Sequence, residues 1–439
     1  MPLPFPSPRP ALRAAACAIA LSLAWPGPAT AQAQSQAPQP GMPTSFKPRP
    51  QMGTGAAFAP DGSLWIAALD KQGRLYLQTA RRQGSGKRAD WQWSAPRLLD
   101  TDGDPVAADG ENHPKLLFGP KGLVLVAYTR PLDQPFTGYV RLLRSTDGGQ
   151  HFAAPRTVHA DRQVISHRFE SLAFDEQGAL HAVWIDKRDL EAAQQAQQAQ
   201  QAQGGANGTD DPDRPPAYRG AAIYRNVSRD GGATFSPDAK VADHACECCR
   251  IALAKGSDGR LRALWRHVFP PNVRDHAFAL ITDGQPANAY TRATYDGWRV
   301  DGCPHHGPSL AADDAQGFHA VWFGLREENG QTVPGVRYAR LRPDGQPNPA
   351  TVQRLPDDRA EHADLLAHGK RVAIAWRSTN GMTTTLKAWL STDGGLHFTE
   401  RALAQAEGEN DQPRLVQQGP RMSVVWRTSK EIQVHDLDF

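Results

Sequence analysis

Sulfur and net charge are what this 439-residue chain has least of: five cysteines, five methionines and a formal net charge of +3. So small a charge, with no long run of lysine or arginine, excludes the electrostatic footprint of a nucleic-acid-binding protein. Long apolar runs are scarce too. The stretch from Ala14 to Trp25 is the main one, and it is too short and poorly flanked for a membrane span. Arg9 and Arg13 precede it and Ala29-Thr30-Ala31 follows, so residues 1–31 read as an export signal cleaved before Gln32. Cys17 leaves with the signal. Residues 32–50, rich in Gln, Pro, Ala and Ser, suit a flexible leader. The mature part, a single domain over 51–439, is expected in the periplasm as a monomer with no membrane span.

What the chain does have is repetition. Ser145-Thr-Asp-Gly-Gly-Gln-His-Phe152, Ser228-Arg-Asp-Gly-Gly-Ala-Thr-Phe235 and Ser391-Thr-Asp-Gly-Gly-Leu-His-Phe398 match in register. Each reads as a hairpin turn. The Asp carboxylate accepts from turn amides, the glycines supply positive φ, and the aromatic anchors the next strand. These turns resemble the Asp-box (BNR) repeats, S-x-D-G-G-x-x-F, of sialidases and related β-propellers.

A longer pattern covers almost the whole mature chain: a short strand, a Gly-containing turn, then an apolar strand usually ending in Trp. Its copies start at Ala57, Lys115, Ser171, Ile251, Ser309, Asp364 and Arg414. A spacing of roughly fifty to sixty residues points to a repeat architecture, and alternation such as Leu180, Ala182, Trp184 is strand period. The expected fold is an all-β propeller of four-stranded blades. The count gives seven blades, whereas the sialidase resemblance implies six. The last unit has room for only three strands, leaving the segment before Met52 to supply the closing one. The Gln/Ala-rich stretch at about 190–215 reads as a disordered or transiently helical insertion.

Every mature cysteine falls in two short pieces, His244-Ala-Cys-Glu-Cys-Cys-Arg250 and Cys303-Pro-His-His-Gly307. Both precede an inner strand, where propeller loops converge on one mouth of the channel. Met52, His113, His167, His362 and Asp411 stand at comparable places. Thiolate, thioether and imidazole together suit Cu(I) best and zinc next. The expected ligands are therefore Cys246, Cys248, Cys249, Cys303, His305 and His306. Met52, His113, His167 and His362 are auxiliary candidates, and His244, Glu247 and Trp298 outer partners that orient or cover the site. The competing reading is structural: in an oxidising compartment, four cysteines can form two disulfides that staple blades, with no metal at all.

Function follows the same fork. The leading expectation is a periplasmic copper-handling protein whose partner is the metal ion and a periplasmic or outer-membrane metal-transport protein. The sialidase resemblance implies a glycan- or anion-binding protein or glycoside hydrolase, with Arg130, Arg188, Arg266, Arg377 and Arg427 as its basic loops. However, the F/Y-R-I-P motif that carries the first sialidase arginine is missing, and no Tyr–Glu pair can be assigned. No catalytic residue is named, and an active sialidase is not expected. A copper-dependent oxidoreductase is the minority alternative, permitted by the histidines around the mouth.

Overall fold

The computed structural model describes residues 52–84, 90–202, 219–302 and 304–439. The signal, the leader, the proposed closing strand, Cys17 and Cys303 lie outside the described residues. Seven antiparallel sheets follow one another along the chain. Blade 1 holds β1 (Gly55–Phe58), β2 (Leu64–Leu69), β3 (Leu75–Gln83) and β4 (Asp90–Trp93), with β5 (Arg97–Leu98) also on β3. Blade 2 holds β6 (Lys115–Phe118), β7 (Val124–Pro131), β8 (Gly138–Ser145) and β9 (Arg156–Thr157). Blade 3 holds β10 (His167–Phe174), β11 (Leu180–Asp186), β12 (Ala221–Ser228) and β13 (Ala239–Ala245). Blade 4 holds β14 (Ala252–Lys255), β15 (Leu261–Arg266), β16 (His276–Ile281) and β17 (Thr291–Arg292). Blade 5 holds β18 (Ser309–Ala312), β19 (Phe318–Glu328), β20 (Gln331–Leu341) and β21 (Gln353–Arg354). Blade 6 holds β22 (Ala360–His368), β23 (Arg371–Thr379), β24 (Thr383–Ser391) and β25 (Thr399–Glu407). Blade 7 holds β26 (Arg414–Gln418), β27 (Arg421–Arg427) and β28 (Ile432–Asp436). The protein is a seven-bladed propeller, the count the hairpins gave.

The hydrophobic core is divided among the gaps between blades. Leu125 and Leu142 of blade 2 pack on Leu180 and Trp184 of blade 3, and the same happens in every gap. The last gap closes the ring, with Val416 and Val425 of blade 7 against Leu64 and Ile66 of blade 1. Strand register makes Ala68, Tyr128, Trp184, Trp265, Trp322, Trp376 and Trp426 equivalent. Each of the five tryptophans is at most 3 % exposed.

The three Ser-x-Asp-Gly-Gly turns are built alike. Ser145 Oγ donates to Asp147 Oδ1 at 2.7 Å and accepts from Gly149 N at 2.9 Å. The amides of Gln150 and His151 close on the same carboxylate oxygen at 3.0 Å. The second glycine has two duties. Gly149 sits at φ 82, and a Cβ there would lie 2.7 Å from Trp65 of the preceding blade. Its counterparts Gly232 and Gly395 press on Leu142 and Tyr338 in the same way. In an up-and-down blade these turns lie on the face opposite the loops that lead into the inner strands.

The insertion differs from a disordered segment: residues Arg188–Ala202 form helix α1. Alanine and glutamine are good helix formers, and Asp189 and Glu191 favour the positive end of the helix dipole. Its packing is slight, since Leu190 is the buried residue. Residues 203–218 lie outside the described set. Among the described residues no helix is long and apolar enough to cross a membrane.

Candidate metal centre at the channel mouth

The loop from β13 to β14 crosses from blade 3 to blade 4 on the mouth face. Its first end is pinned by Cys246 N donating to Arg266 O at 2.9 Å, its second by Arg250 N donating to Glu111 Oε2 at 3.1 Å. Between these anchors the chain turns at Glu247 and Cys248. All three sulfurs therefore point inward. The Sγ–Sγ separations are 3.8 Å for Cys246–Cys248, 3.8 Å for Cys246–Cys249 and 3.9 Å for Cys248–Cys249. These are far longer than the roughly 2.05 Å of a disulfide, so the three are not bonded to one another. Each cysteine is at most 5 % exposed.

Two arginines serve this loop. Arg274 Nη1 lies 3.6 Å from Cys246 Sγ. Arg266, 1 % exposed, donates to Arg274 O, His306 O and Phe323 O, and its guanidinium lies 5.0 Å over the Trp298 ring. Hydrogen bonds from the Cys248 and Cys249 thiols, with the fields of Arg266 and Arg274, hold the Cys246 thiol well below the ordinary cysteine range. Burial and the neighbouring sulfur push Cys249 the other way. Three buried sulfurs this close, with Arg274 beside Cys246, offer a soft cation a ready set of ligands once their protons are displaced.

Beside the thiols, the channel is stoppered. Arg250 donates to Glu111 Oε1 at 2.7 Å, Gln412 Oε1 at 3.1 Å, Pro308 O at 3.1 Å and Ala363 O at 2.6 Å. Glu111 Oε2 accepts from Gly307 N at 2.8 Å. Gly307 is required by this close approach, because a Cβ there would lie 2.6 Å from that oxygen. A guanidinium bonded to the loops of blades 2, 5, 6 and 7 from blade 4 can only sit near the ring axis. Burial alone would raise the Glu111 pKa; the Arg250 guanidinium and His362 hold it well below the usual range.

The remaining expected residues are distributed around the mouth. Among the described residues, the His, Cys, Asp or Glu ligand atoms that cluster within 4.8 Å of one another are those of Cys246, Cys248 and Cys249. His305 is exposed. His306 stacks between Phe323 and His362, each 4.4 Å away, and burial lowers its pKa to about 3. His362 accepts at Nδ1 from Gln412 Nε2 at 2.8 Å and faces Glu361 through Nε2 at 3.1 Å. His113 packs on Lys115 and Gly110 O, and burial with Arg414 keeps it neutral. His167 lies elsewhere, stacked on His159 at 4.0 Å with Nε2 on Asp161 at 3.1 Å. Met52 is half-buried. His244 meets the Arg219 backbone, and Glu247 pairs with Lys187.

Common blade position is thus narrower than the sequence pattern suggests. Register aligns Gly53, His113, Phe169, Arg250, Gly307, His362 and Gln412, and leaves His167 two residues off. The proposed anion-binding arginines also have intramolecular work. Arg130 pairs with Asp104, and Arg188 with Asp186 and Asp238. Arg266 reaches blade 5 carbonyls, Arg377 the Asn410 carbonyl, and Arg427 the Leu69 carbonyl across the ring closure. Sequence reasoning missed Glu111, Arg250, Arg274 and Gln412. The place of Arg250 beside Cys249 was its one signal.

No family model and no curated protein matches the chain. Among solved structures the chain is similar to a polysaccharide lyase of family PL25, an ulvan lyase, at 12% identity and a TM-score of 0.53, covering 88% of this chain and 94% of that one. The same lyase bound to -[GlcA(1-4)Rha3S]- gives the same values. An α-L-arabinanase of Penicillium chrysogenum complexed with arabinobiose has 13% identity and a TM-score of 0.47, covering 75% of this chain and 89% of that one. These neighbours are glycan-acting propellers, and at such identity the likeness is one of fold alone.

Proposed function

We propose that this is an exported protein that binds a soft transition-metal ion, copper(I) ahead of zinc, for metal handling in the periplasm. The observation that supports this is the sulfur triangle. With metal–sulfur bonds of about 2.3 Å, thiolates stand about 3.8 Å apart in a tetrahedral site and about 4.0 Å apart in a trigonal plane. The thiols of Cys246, Cys248 and Cys249 already have edges of 3.8–3.9 Å. They fit such an ion with almost no rearrangement. Zinc prefers four ligands, whereas soft thiolate sets select Cu(I); three clustered ligand atoms among the described residues favour the latter. Cys303 is proposed as a further ligand on sequence grounds. The test is anaerobic titration of the metal-free protein with Cu(I) against a competing chelator, read by ultraviolet thiolate-to-metal absorption. One equivalent bound by the wild type, and none by a Cys246→Ser/Cys249→Ser variant that keeps its circular dichroism, is expected. A wild type that takes up neither Cu(I) nor zinc overturns the reading.

A second reading is an anionic-glycan binder at the same mouth. It is favoured by the fold shared with a lyase captured on a sulfated uronate saccharide. Against it, the mouth cleft lined by His306, Phe323 and His362 has no room for even a water-sized sphere, whereas ligand sites usually open to ~300 Å³ or more. Calorimetry with uronate oligosaccharides separates the readings. Heat that survives in the double-serine variant and disappears in Arg130→Ala would favour the glycan.

A further inference from the structure

The metal reading leaves a question open. In an exported protein, thiols that hold a soft ion also meet oxidants; Cys246 Sγ lies 3.8 Å from both Cys248 and Cys249, and the turn puts the pair at its two ends forward as the one to respond. Cys246 and Cys249 stand at the two ends of the turn through Glu247 and Cys248. A β-turn brings its end Cα atoms within about 7 Å of each other, close to the upper end of what a disulfide spans, roughly 4.4–6.8 Å. Their sulfurs are already 3.8 Å apart. Cys248 and Cys249 are adjacent, and consecutive Cα atoms about 3.8 Å apart fall short of that range. The Arg274 guanidinium, 3.6 Å from Cys246 Sγ, marks that sulfur as the one held beside a positive charge. Both ends of the loop are anchored, at Arg266 O and Glu111 Oε2. Closing the bond therefore requires side-chain rotation and a small shift of the turn, not unfolding of the blade junction.

We infer that Cys246 and Cys249 form a reversible disulfide, a modification site that shares its sulfurs with the metal and expels the ion when it closes. The oxidant is a peroxide, small enough to reach thiols this buried. The Cys246 thiolate attacks one peroxide oxygen; the O–O bond breaks, hydroxide leaves, and the sulfur becomes a sulfenic acid, oxidised by two electrons. The Cys249 sulfur then attacks Cys246 Sγ. The S–S bond forms, the S–O bond breaks, and hydroxide departs with the thiol proton as water. A dithiol reductant reverses the bond by exchange. With two sulfurs joined, the triangle keeps one thiolate, and the ion leaves. The inference of release rests on the metal reading, but bond formation does not.

The experiment treats the full mature protein, metal-free and Cu(I)-loaded, with one equivalent of hydrogen peroxide under anaerobic conditions. Intact mass, peptide mapping and retained copper are measured. Expected are a mass loss of about 2 Da, a Cys246–Cys249 cross-link, loss of the bound copper, and recovery of both on adding dithiothreitol. Cys249→Ser should stop at the sulfenic acid, trapped by a dione reagent, with near-ultraviolet circular dichroism confirming its fold. Over-oxidation to sulfinic acid in the wild type, or a cross-link mapped to any other pair, overturns the inference. A cross-link in a protein that never binds copper overturns the metal reading and leaves the modification site standing. Copper bound and retained with no cross-link does the reverse.

Discussion

The two faces of this propeller solve the same problem, turning the chain between strands, in opposite ways. On the face of the Ser-x-Asp-Gly-Gly turns, Ser145, Asp147 and Gly149 satisfy one another inside a single turn, and Ser391, Asp393 and Gly395 repeat the arrangement. On the mouth face, the register-equivalent positions hold seven residues of five chemical kinds, and Arg250, Gly307, His362 and Gln412 among them are satisfied across the channel rather than at home. Glu111 and Arg250 are 139 residues apart in the chain. Repetition of a self-contained turn serves blades 2, 3 and 6 separately. Divergence at the mouth makes the loops depend on the closed ring, and it is there that the sulfurs converge.

The largest expected break falls on the mouth side. Replacing Cys246 and Cys249 by serine should abolish soft-metal binding, well beyond the ~10–100-fold cost of losing an outer partner, while denaturant unfolding of the metal-free protein changes little. Next is Glu111→Ala, which strands the Arg250 guanidinium at 9 % side-chain exposure. Urea unfolding should show a loss of about 3–5 kcal/mol, the cost of breaking a buried ion pair from one side.

The same carboxylate gives a pH test. Its pKa is depressed in the fold from an ordinary 4.5. Its contribution to stability is therefore fully present above pH 4.5 and lost as the pH falls through the lower folded value. Glu111→Gln should flatten the acid limb of the stability curve, measured by urea midpoints below pH 5.

On the box face, Gly149→Ala forces a side chain into positive φ and toward Trp65. About 2 kcal/mol should be lost, read by thermal melting, with metal affinity unchanged. Smallest is Lys187→Ala, which removes the half-exposed ion pair to Glu247 beside the thiols; stability should move by less than ~1 kcal/mol. A large effect there, or a metal effect from Gly149→Ala, would break the division between the faces.

What was legible in the sequence divides along the same line. The Ser-x-Asp-Gly-Gly turns and the seven hairpins could be read because each is local: a turn or a strand pair carries its own pattern. Blade 1 was the weakest copy, with Ala68 where five blades have Trp. The proximity of Cys246, Cys248 and Cys249 was legible for the same reason, all three lying in one loop. The stopper was not, because Arg250, Glu111 and Gln412 meet only when the ring closes and no local pattern marks such a meeting. His167 misled for a related reason. It precedes an inner strand in sequence, but β10 begins early and carries it into the stack with His159. Helix α1 read as disordered or only transiently helical because its repeat has no apolar stripe, yet its residues are strong helix formers.

On the proposed metal reading, the stopper also bears on the direction of traffic. A ring with an open bore would let an ion approach from either side and leave by the other. Here the bore is corked beside the sulfurs by a guanidinium tied to four other blades. An ion held by the sulfurs would then not pass along the bore beyond this plug, so any donor and any acceptor of that cargo would have to take turns at the same face.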